Sequence, residues 1–158
     1  MKHDLLAESQ KHHAVGLLRR IPSIGPIRAA LLVALIQTPH RFRTKRQLWA
    51  YSGLGLKTYS SGDYRYVTGQ LLRTKRPVSI RGLNANHNHD LKNIFKGAAT
   101  RAAIISGPLQ DFYAGMVARG MKPSLARLTL ARKIAAITLL VWKKGVCLDA
   151  EHLKQQAA

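Results

Sequence analysis

A serine hydroxyl set among cations, with almost no carboxylate nearby, can break a phosphodiester backbone. The segment Tyr59-Ser60-Ser61-Gly62-Asp63-Tyr64-Arg65 offers such a hydroxyl. Downstream lie Arg73, Lys75, Arg76 and Arg81, and upstream Arg41, Arg43, Lys45, Arg46 and Lys57. Asp63 is the one acid between Arg41 and Arg81. Serine is a weak nucleophile at its ordinary pKa and needs a base, a metal or a strongly polarised phosphate. Attack on phosphorus builds negative charge on the non-bridging oxygens, which fixed cations stabilise. Ser and Gly also favour turns for backbone reasons alone. The dipeptide by itself therefore leaves an ordinary turn open.

The charge balance says what such a site would act on. The 158 residues carry 26 basic and 7 acidic side chains, a formal net charge of +19. That excess points to a polyanionic partner, nucleic acid before a generic solvated basic surface. At 46% hydrophobic the chain can bury a core, and its length fits one domain or one module of a longer protein. Cys147 is the single cysteine, so no disulfide framework or thiolate metal site is expected, and a reducing compartment is the default. The longest apolar run, 134 to 142, is short of the roughly 20 residues a spanning helix needs. The start, Met1-Lys2-His3-Asp4, has no apolar signal core. The expectation is a cytoplasmic, nucleoid-associated protein with no membrane partner.

The elements that would position the serine are mostly helices. Residues 4–20 form an N-terminal helix by pattern, the remnant of a linker or coiled-coil region, with Arg19-Arg20 suiting its C-terminal dipole. Pro22 breaks it. A second helix is predicted over 26–37, with Pro26 in the first turn where its missing amide hydrogen costs nothing. It is apolar nearly all round, which predicts a central place in the core. Further helices are predicted over 45–51, capped by Thr44 and stopped by Gly53 and Gly55, and over 90–105, 109–119 and 124–144. Leu125, Leu128, Ile134, Ile137, Val141 and Trp142 would form the buried face of the last. Between 56 and 88 helical period is lost, and Gly62, Gly69 and Gly82 mark turns. The predicted class is a mostly α, helix-hairpin-helix-containing domain with one irregular basic loop or short β-hairpin. The main domain covers 21–150, with its hairpin at 21–36.

Two stretches would grip DNA. In Ile21-Pro22-Ser23-Ile24-Gly25-Pro26, glycine permits close backbone approach to a phosphate. Amides opening the next helix can bond phosphate oxygens. Ile24, Gly25 and Arg28 are the candidate contacts there, though Pro26 removes one amide. Such contacts position a protein without reading sequence. The alternative is a tight connection between core helices, with glycine present only for a positive φ. The second stretch is the basic insertion, whose Arg43, Lys45, Arg46, Lys57, Arg73, Lys75, Arg76 and Arg81 would meet phosphates. Tyr51, Tyr59, Tyr64 and Tyr66 are interleaved and can stack on bases.

The order of these motifs carries a resemblance. Ile21-Pro22-Ser23-Ile24-Gly25-Pro26 is followed by the run from Phe42 to Leu54, then by Tyr59-Ser60-Ser61-Gly62. Late come Phe112-Tyr113, Gly120 and Leu130-Ala131-Arg132-Lys133-Ile134-Ala135. Over roughly residues 15 to 145 the chain resembles the C-terminal transposase domain of the insertion sequence 110 family, relatives of the Piv invertase. The resemblance implies a recombinase whose serine before the glycine attacks DNA and forms a phosphoserine link. That position is Ser61, with Ser60 its rival because the serine is doubled. Arg65 is the nearest cation in sequence. Members also carry a RuvC-like domain whose acidic tetrad binds divalent metal and which helps to engage a guide RNA. These 158 residues hold no such tetrad, and the seven acids show no ligand spacing. The chain then reads as a C-terminal fragment, a truncated frame or an excised domain, one that would bind DNA without completing recombination. No cofactor or metal is expected in it. The partners implied are double-stranded DNA, a guide RNA and, since two DNA sites must meet, further copies of the chain.

Other chemistry weighs less. His87-Asn88-His89-Asp90 could hold zinc, but alternate polar residues before a helix more often form a loop with Asn88 or Asp90 as cap. Tyr64 or Tyr66 as a recombinase nucleophile would want an Arg-His-Arg set that the chain does not assemble. The competing function is a helix-hairpin-helix DNA-binding module without chemistry.

Overall fold

The structure is a computed structural model that describes residues 4, 7, 11–59, 64–73 and 79–146, with backbone alone at 58, 59, 65, 73 and 79–81. Among them are the helices α1 (His13–Leu18), α2 (Pro26–Ile36), α3 (Lys45–Tyr51), α4 (His89–Ala102), α5 (Pro108–Ala118) and α6 (Pro123–Lys144). A 3-10 turn spans Pro39–Arg41. The strands are β1 (Leu56–Tyr59), β2 (Tyr64–Val67), β3 (Gln70–Arg73) and β4 (Ser79–Leu83). The fold is mostly α, as the sequence pattern predicts. Among the described residues no helix is long and apolar enough to cross a membrane.

The helix that organises the core is α6. The 3-10 turn, α1, α3, α4 and α5 all pack on it. Pro123 opens it, and Gly145 ends it with φ 63° and an N–H donating to the Val141 carbonyl at 2.9 Å. Ala126, Leu130, Ile134, Ile137 and Val141 are buried at three- and four-residue spacing, one face of a helix. Ala131 and Ala135 are buried too, as are Ala98, Ala99 and Ala102 of α4. Small side chains on both helices let their backbones approach. Thr138 is fully buried, and its hydroxyl is satisfied by donating to the Ile134 carbonyl at 2.8 Å.

Several expectations change. The all-apolar α2 is not central: Ala29, Ala30, Leu32 and Ile36 are buried, but Ile27 and Ala34 face out. Composition shows that a helix can be buried, whereas its neighbours decide how much of it is. Leu125, expected inside, is 52% exposed at the start of α6, while Leu128 and Trp142 are only partly buried. Helix α4 ends at Ala102, short of the predicted 105, and Ile104 and Ile105 are exposed beyond it. Of the predicted helix over 4–20, the structure describes α1, its flanks at 11–12 and 19–20, and helical residues 4 and 7; the other residues before Lys11 lie outside the described residues.

Helix α3 has its predicted bounds. Its stop is built by Gly53 at φ 69°, with Gly53 N–H donating to Ala50 and Leu54 N–H to Trp49. Thr44 stands at the N-cap, but its side chain makes no capping bond. Gln47 reaches back instead, accepting from the Arg43 amide at 2.7 Å. Asn88 caps α4 through the Leu91 amide at 3.0 Å, as the loop reading of that segment predicts.

Beyond α3, the described part of the basic insertion forms two separate antiparallel ladders. In the first, β1 pairs with β4, with Leu56↔Leu83, Thr58↔Ile80 and Tyr59↔Ser79 as partners. The register slips by one residue where Gly82 takes φ 74°, so this glycine serves a β-bulge within a strand rather than the predicted turn. In the second, β2 pairs with β3 around Thr68-Gly69. Both turn residues have positive φ, 46° and 82°, the left-handed pair that matches strand twist in a two-residue hairpin.

Candidate nucleic-acid interface

The turn between α1 and α2 is anchored by burial. Leu18, Ile21 and Ile24 are all inside. The Ile24 amide donates to the Ile21 carbonyl at 3.1 Å, closing a tight turn over Pro22-Ser23. Pro at the second position of such a turn presets its φ. The third position needs a left-handed residue, and Ser23 supplies it at φ 73°. Gly25, by contrast, is extended at φ −78°, and a Cβ added there would meet no atom within 4 Å. The strained residue is therefore Ser23, not the glycine. Ile24, expected at a DNA backbone, holds the turn by burial and has already spent its amide within it.

What the turn leaves open is the beginning of α2. Pro26 has no amide hydrogen, Ala29 N–H bonds Gly25 O, and those of Gly25, Ile27 and Arg28 have no intramolecular acceptor among the described residues. Helix N-termini carry partial positive charge and bind anions for this reason. Around them runs a surface cleft lined in part by Arg19, Arg20, Arg28 and Arg101. No carboxylate of the described residues lines it. Arg28 is held in place: Nη1 donates to the Ser23 carbonyl at 3.2 Å, and a Cβ on Gly97 of α4 would stand 3.2 Å from Nη2. The Ser23 hydroxyl is buried there without a hydrogen-bond partner among the described residues.

Of the sequence-predicted contacts, Ile24, Gly25 and Arg28 all line this cleft. Arg19 and Arg20 join them, although the sequence offered them only as helix-end charges. Arg101 was missed entirely. It sits in the last turn of α4 and reaches the cleft only through helix packing, so no local motif marks it.

Arg43, Lys45 and Arg46 form a second exposed group at the start of α3. There Lys45 Nζ lies 5.7 Å from the Trp49 ring centre and Lys133 Nζ 4.3 Å from that of Phe112. Burial, and then the nearby Lys45 charge, lower the pKa of Lys133. Lys143 of α6 fastens this edge by donating to the carbonyls of Phe42 and Arg43. Tyr51 is engaged within the protein. Arg41 covers its ring at 4.6 Å and donates to its hydroxyl at 3.3 Å, and Phe42 packs beside it.

The third group flanks the serine segment in sequence. Ser60, Ser61, Lys75 and Arg76 lie outside the described residues, and Arg65, Arg73 and Arg81 are described by backbone alone. Lys57 is exposed on β1. The base of this region is fixed to the core. Trp49 Nε1 donates to the Arg132 carbonyl at 2.9 Å, and Arg132 Nε donates to the Leu54 carbonyl at 2.7 Å. That pair of bonds ties the end of α3 and the approach to β1 onto α6. Burial lowers the pKa of Arg132, and its Nη2 has no hydrogen-bond partner among the described residues. Segments 60–63 and 74–78 both run between the Tyr59↔Ser79 pair of one ladder and the Tyr64↔Arg73 pair of the other.

Comparison with known proteins adds the family. No curated protein matches the chain. The family model described as "Transposase IS116/IS110/IS902 family" matches residues 15–114, a span holding the α1–α2 turn, α3, both ladders and α4. With well over half its length matched, the chain belongs to the IS116/IS110/IS902 family of transposases.

Proposed function

We propose that the chain is a DNA-binding and strand-transferring domain of a transposase, gripping duplex DNA at the α1–α2 cleft and attacking it with Ser61. The observation that carries the reading is the cleft. Arg19, Arg20, Arg28 and Arg101 line it beside helix-start amides that have no intramolecular acceptor among the described residues, and no carboxylate of the described residues lines it. Backbone amides and guanidinium groups both bind phosphate oxygens, and neither set depends on base sequence.

For the chemistry, support comes from how the serine segment is tethered. Two short stretches, 60–63 and 74–78, share both sets of anchoring pairs. Lys75 and Arg76 are the cations carried by the second of these stretches. Arg65 and Arg73 stand at or next to one anchoring pair. In the proposed step the Ser61 oxygen forms a bond to phosphorus, and the bond to a deoxyribose oxygen breaks. The serine proton passes through solvent to that departing oxygen. One phosphodiester replaces another, so the reverse attack can reseal a strand without an external energy source. Two copies of the chain, each bringing one serine, would serve two DNA sites. Among the described residues no three of His, Cys, Asp or Glu stand together as metal ligands.

The test is a covalent-adduct assay. The chain is combined with an acidic-tetrad partner domain, guide RNA and element-end DNA, then denatured. A protein–DNA band lost in Ser61→Ala and kept in Ser60→Ala supports the reading and its register. Salt-sensitive DNA binding with no band under any condition would leave a backbone-gripping module without chemistry.

A further inference from the structure

The apolar face of the β2–β3 ribbon has no place in the scheme above. Its strands pack chiefly on each other, yet it is rich in large apolar side chains. Tyr64 is 61% exposed, Tyr66 74% and Leu71 64%, with Val67 and Leu72 also exposed. The register Tyr64↔Arg73 and Tyr66↔Leu71 puts these four positions on one face of the ribbon. Two strands alone are marginally stable in water, so such a face calls for a cover.

Charge narrows what that cover is. From Tyr64 to His89 the sequence holds Arg65, Arg73, Lys75, Arg76 and Arg81 and no acidic residue. A polyanion with flat apolar surfaces satisfies both properties, and nucleic-acid bases have such surfaces. Spacing narrows it further. Tyr64 and Tyr66, two residues apart on one strand, stand about 6.6 Å apart at the usual strand rise. That is about twice the 3.4 Å step between stacked bases. Successive bases can occupy both rings only where the strand is unstacked. A duplex interior hides its base faces, so an open strand fits and a closed helix does not.

We infer that the β2–β3 ribbon is a stacking platform for unpaired bases of a DNA strand, with Tyr64 and Tyr66 as its two seats. DNA is the source because Tyr64 lies three residues from Ser61, at most about 11 Å of chain. The strand within reach is therefore the one the serine would hold. In this the inference rests on the DNA-directed reading above, while its test does not depend on cleavage. Aromatic stacking on single strands tolerates sequence, because every base has a π-face.

The experiment titrates the full chain with an oligothymidine, with an RNA of the same sequence, and with a hairpin-capped duplex. Tyr66→Ala and Tyr64→Ala should each weaken the single-stranded DNA complex by roughly 5- to 150-fold. Duplex affinity should stay unchanged. Tyr66→Phe should retain affinity, and Tyr66→Trp should retain it with indole fluorescence quenched by the oligothymidine. Unchanged single-strand affinity in both alanine variants overturns the inference, as does a loss confined to the RNA. If the duplex itself fails to bind the unaltered chain, the DNA-gripping cleft fails instead, a separate result from the same titration.

Discussion

Arg28 reaches back across the α1–α2 turn and donates from Nη1 to the carbonyl of Ser23 at 3.2 Å. The residue it holds is the one with left-handed backbone, φ 73°. Turn conformation and cation position are thus fixed together. The guanidinium is pinned beside the open amides of α2 before any ligand arrives, which reduces the side-chain entropy a bound phosphate must freeze out.

Replacing Ser23 by glycine should stabilise the protein. A left-handed conformation costs a non-glycine residue about 1–2 kcal/mol, and the buried Ser23 hydroxyl has no hydrogen-bond partner among the described residues. Glycine removes both costs but adds unfolded-chain entropy of about 0.5–1 kcal/mol. The net gain should be about 0.5–2 kcal/mol by these magnitudes, read as a raised urea midpoint with unchanged slope. A lowered midpoint would show that the hydroxyl has a partner.

Gly25 separates folding from binding. Its φ of −78° suits any residue, and an added Cβ has open space. Gly25→Ala should therefore fold normally and gain about 0.4–1 kcal/mol from a stiffer unfolded chain. If phosphate approaches the backbone here, the same variant loses duplex affinity, because the methyl occupies the space the phosphate needs. Equal affinity in the two proteins would remove Gly25 from the interface.

How much of this was legible depends on whether the cause is local. The bounds of α3 could be read because Gly53 sits within a few residues of what it stops. The mostly α class could be read from period alone. The left-handed residue of the α1–α2 turn could not, because the eye goes to Gly25, while the Ile21–Ile24 bond decides that Ser23 occupies the third position. Arg101 was invisible for another reason: α4 delivers it by packing. The mistaken centrality of α2 has the same origin. Its apolar content was plain, but α6, longer and touched from several sides, takes the middle.

Among the described glycines, Gly53 should be the least replaceable. Its φ of 69° already disfavours a side chain, and a Cβ there would overlap the His87 ring. That ring itself packs against His89, tilted by 51° with 4.4 Å between centroids. Gly53→Ala should cost about 2–4 kcal/mol, left-handed strain plus overpacking. His87→Ala in the same chain should recover the overpacking part and leave the strain. Thermal melts of the single and double variants check this, and additive losses would refute the contact.

Lys133 and Lys45 should destabilise the protein at neutral pH. The folded-state pKa of Lys133 is lowered, by burial first and by the Lys45 charge second. A lysine whose folded pKa falls below its unfolded value gives up its proton earlier when folded. Across that interval the unfolded chain binds more protons, so stability rises with pH. The cost is fully present below the lowered pKa and is relieved as pH climbs through it towards the ordinary value of 10.5. Lys45→Gln removes only the second cause. It should stabilise the protein at pH 7 by a few tenths of a kcal/mol, since the site is partly solvated, and flatten the alkaline rise without abolishing it. Added salt should reproduce part of this gain in the unaltered chain by screening the pair. The same salt would weaken its duplex binding, by roughly 10³–10⁵-fold between 50 and 200 mM if six to ten phosphates are contacted. Urea titrations across neutral to alkaline pH supply the readout. A Lys45→Gln variant less stable than the parent at pH 7 would mean that the Lys45–Trp49 contact at 5.7 Å outweighs the repulsion.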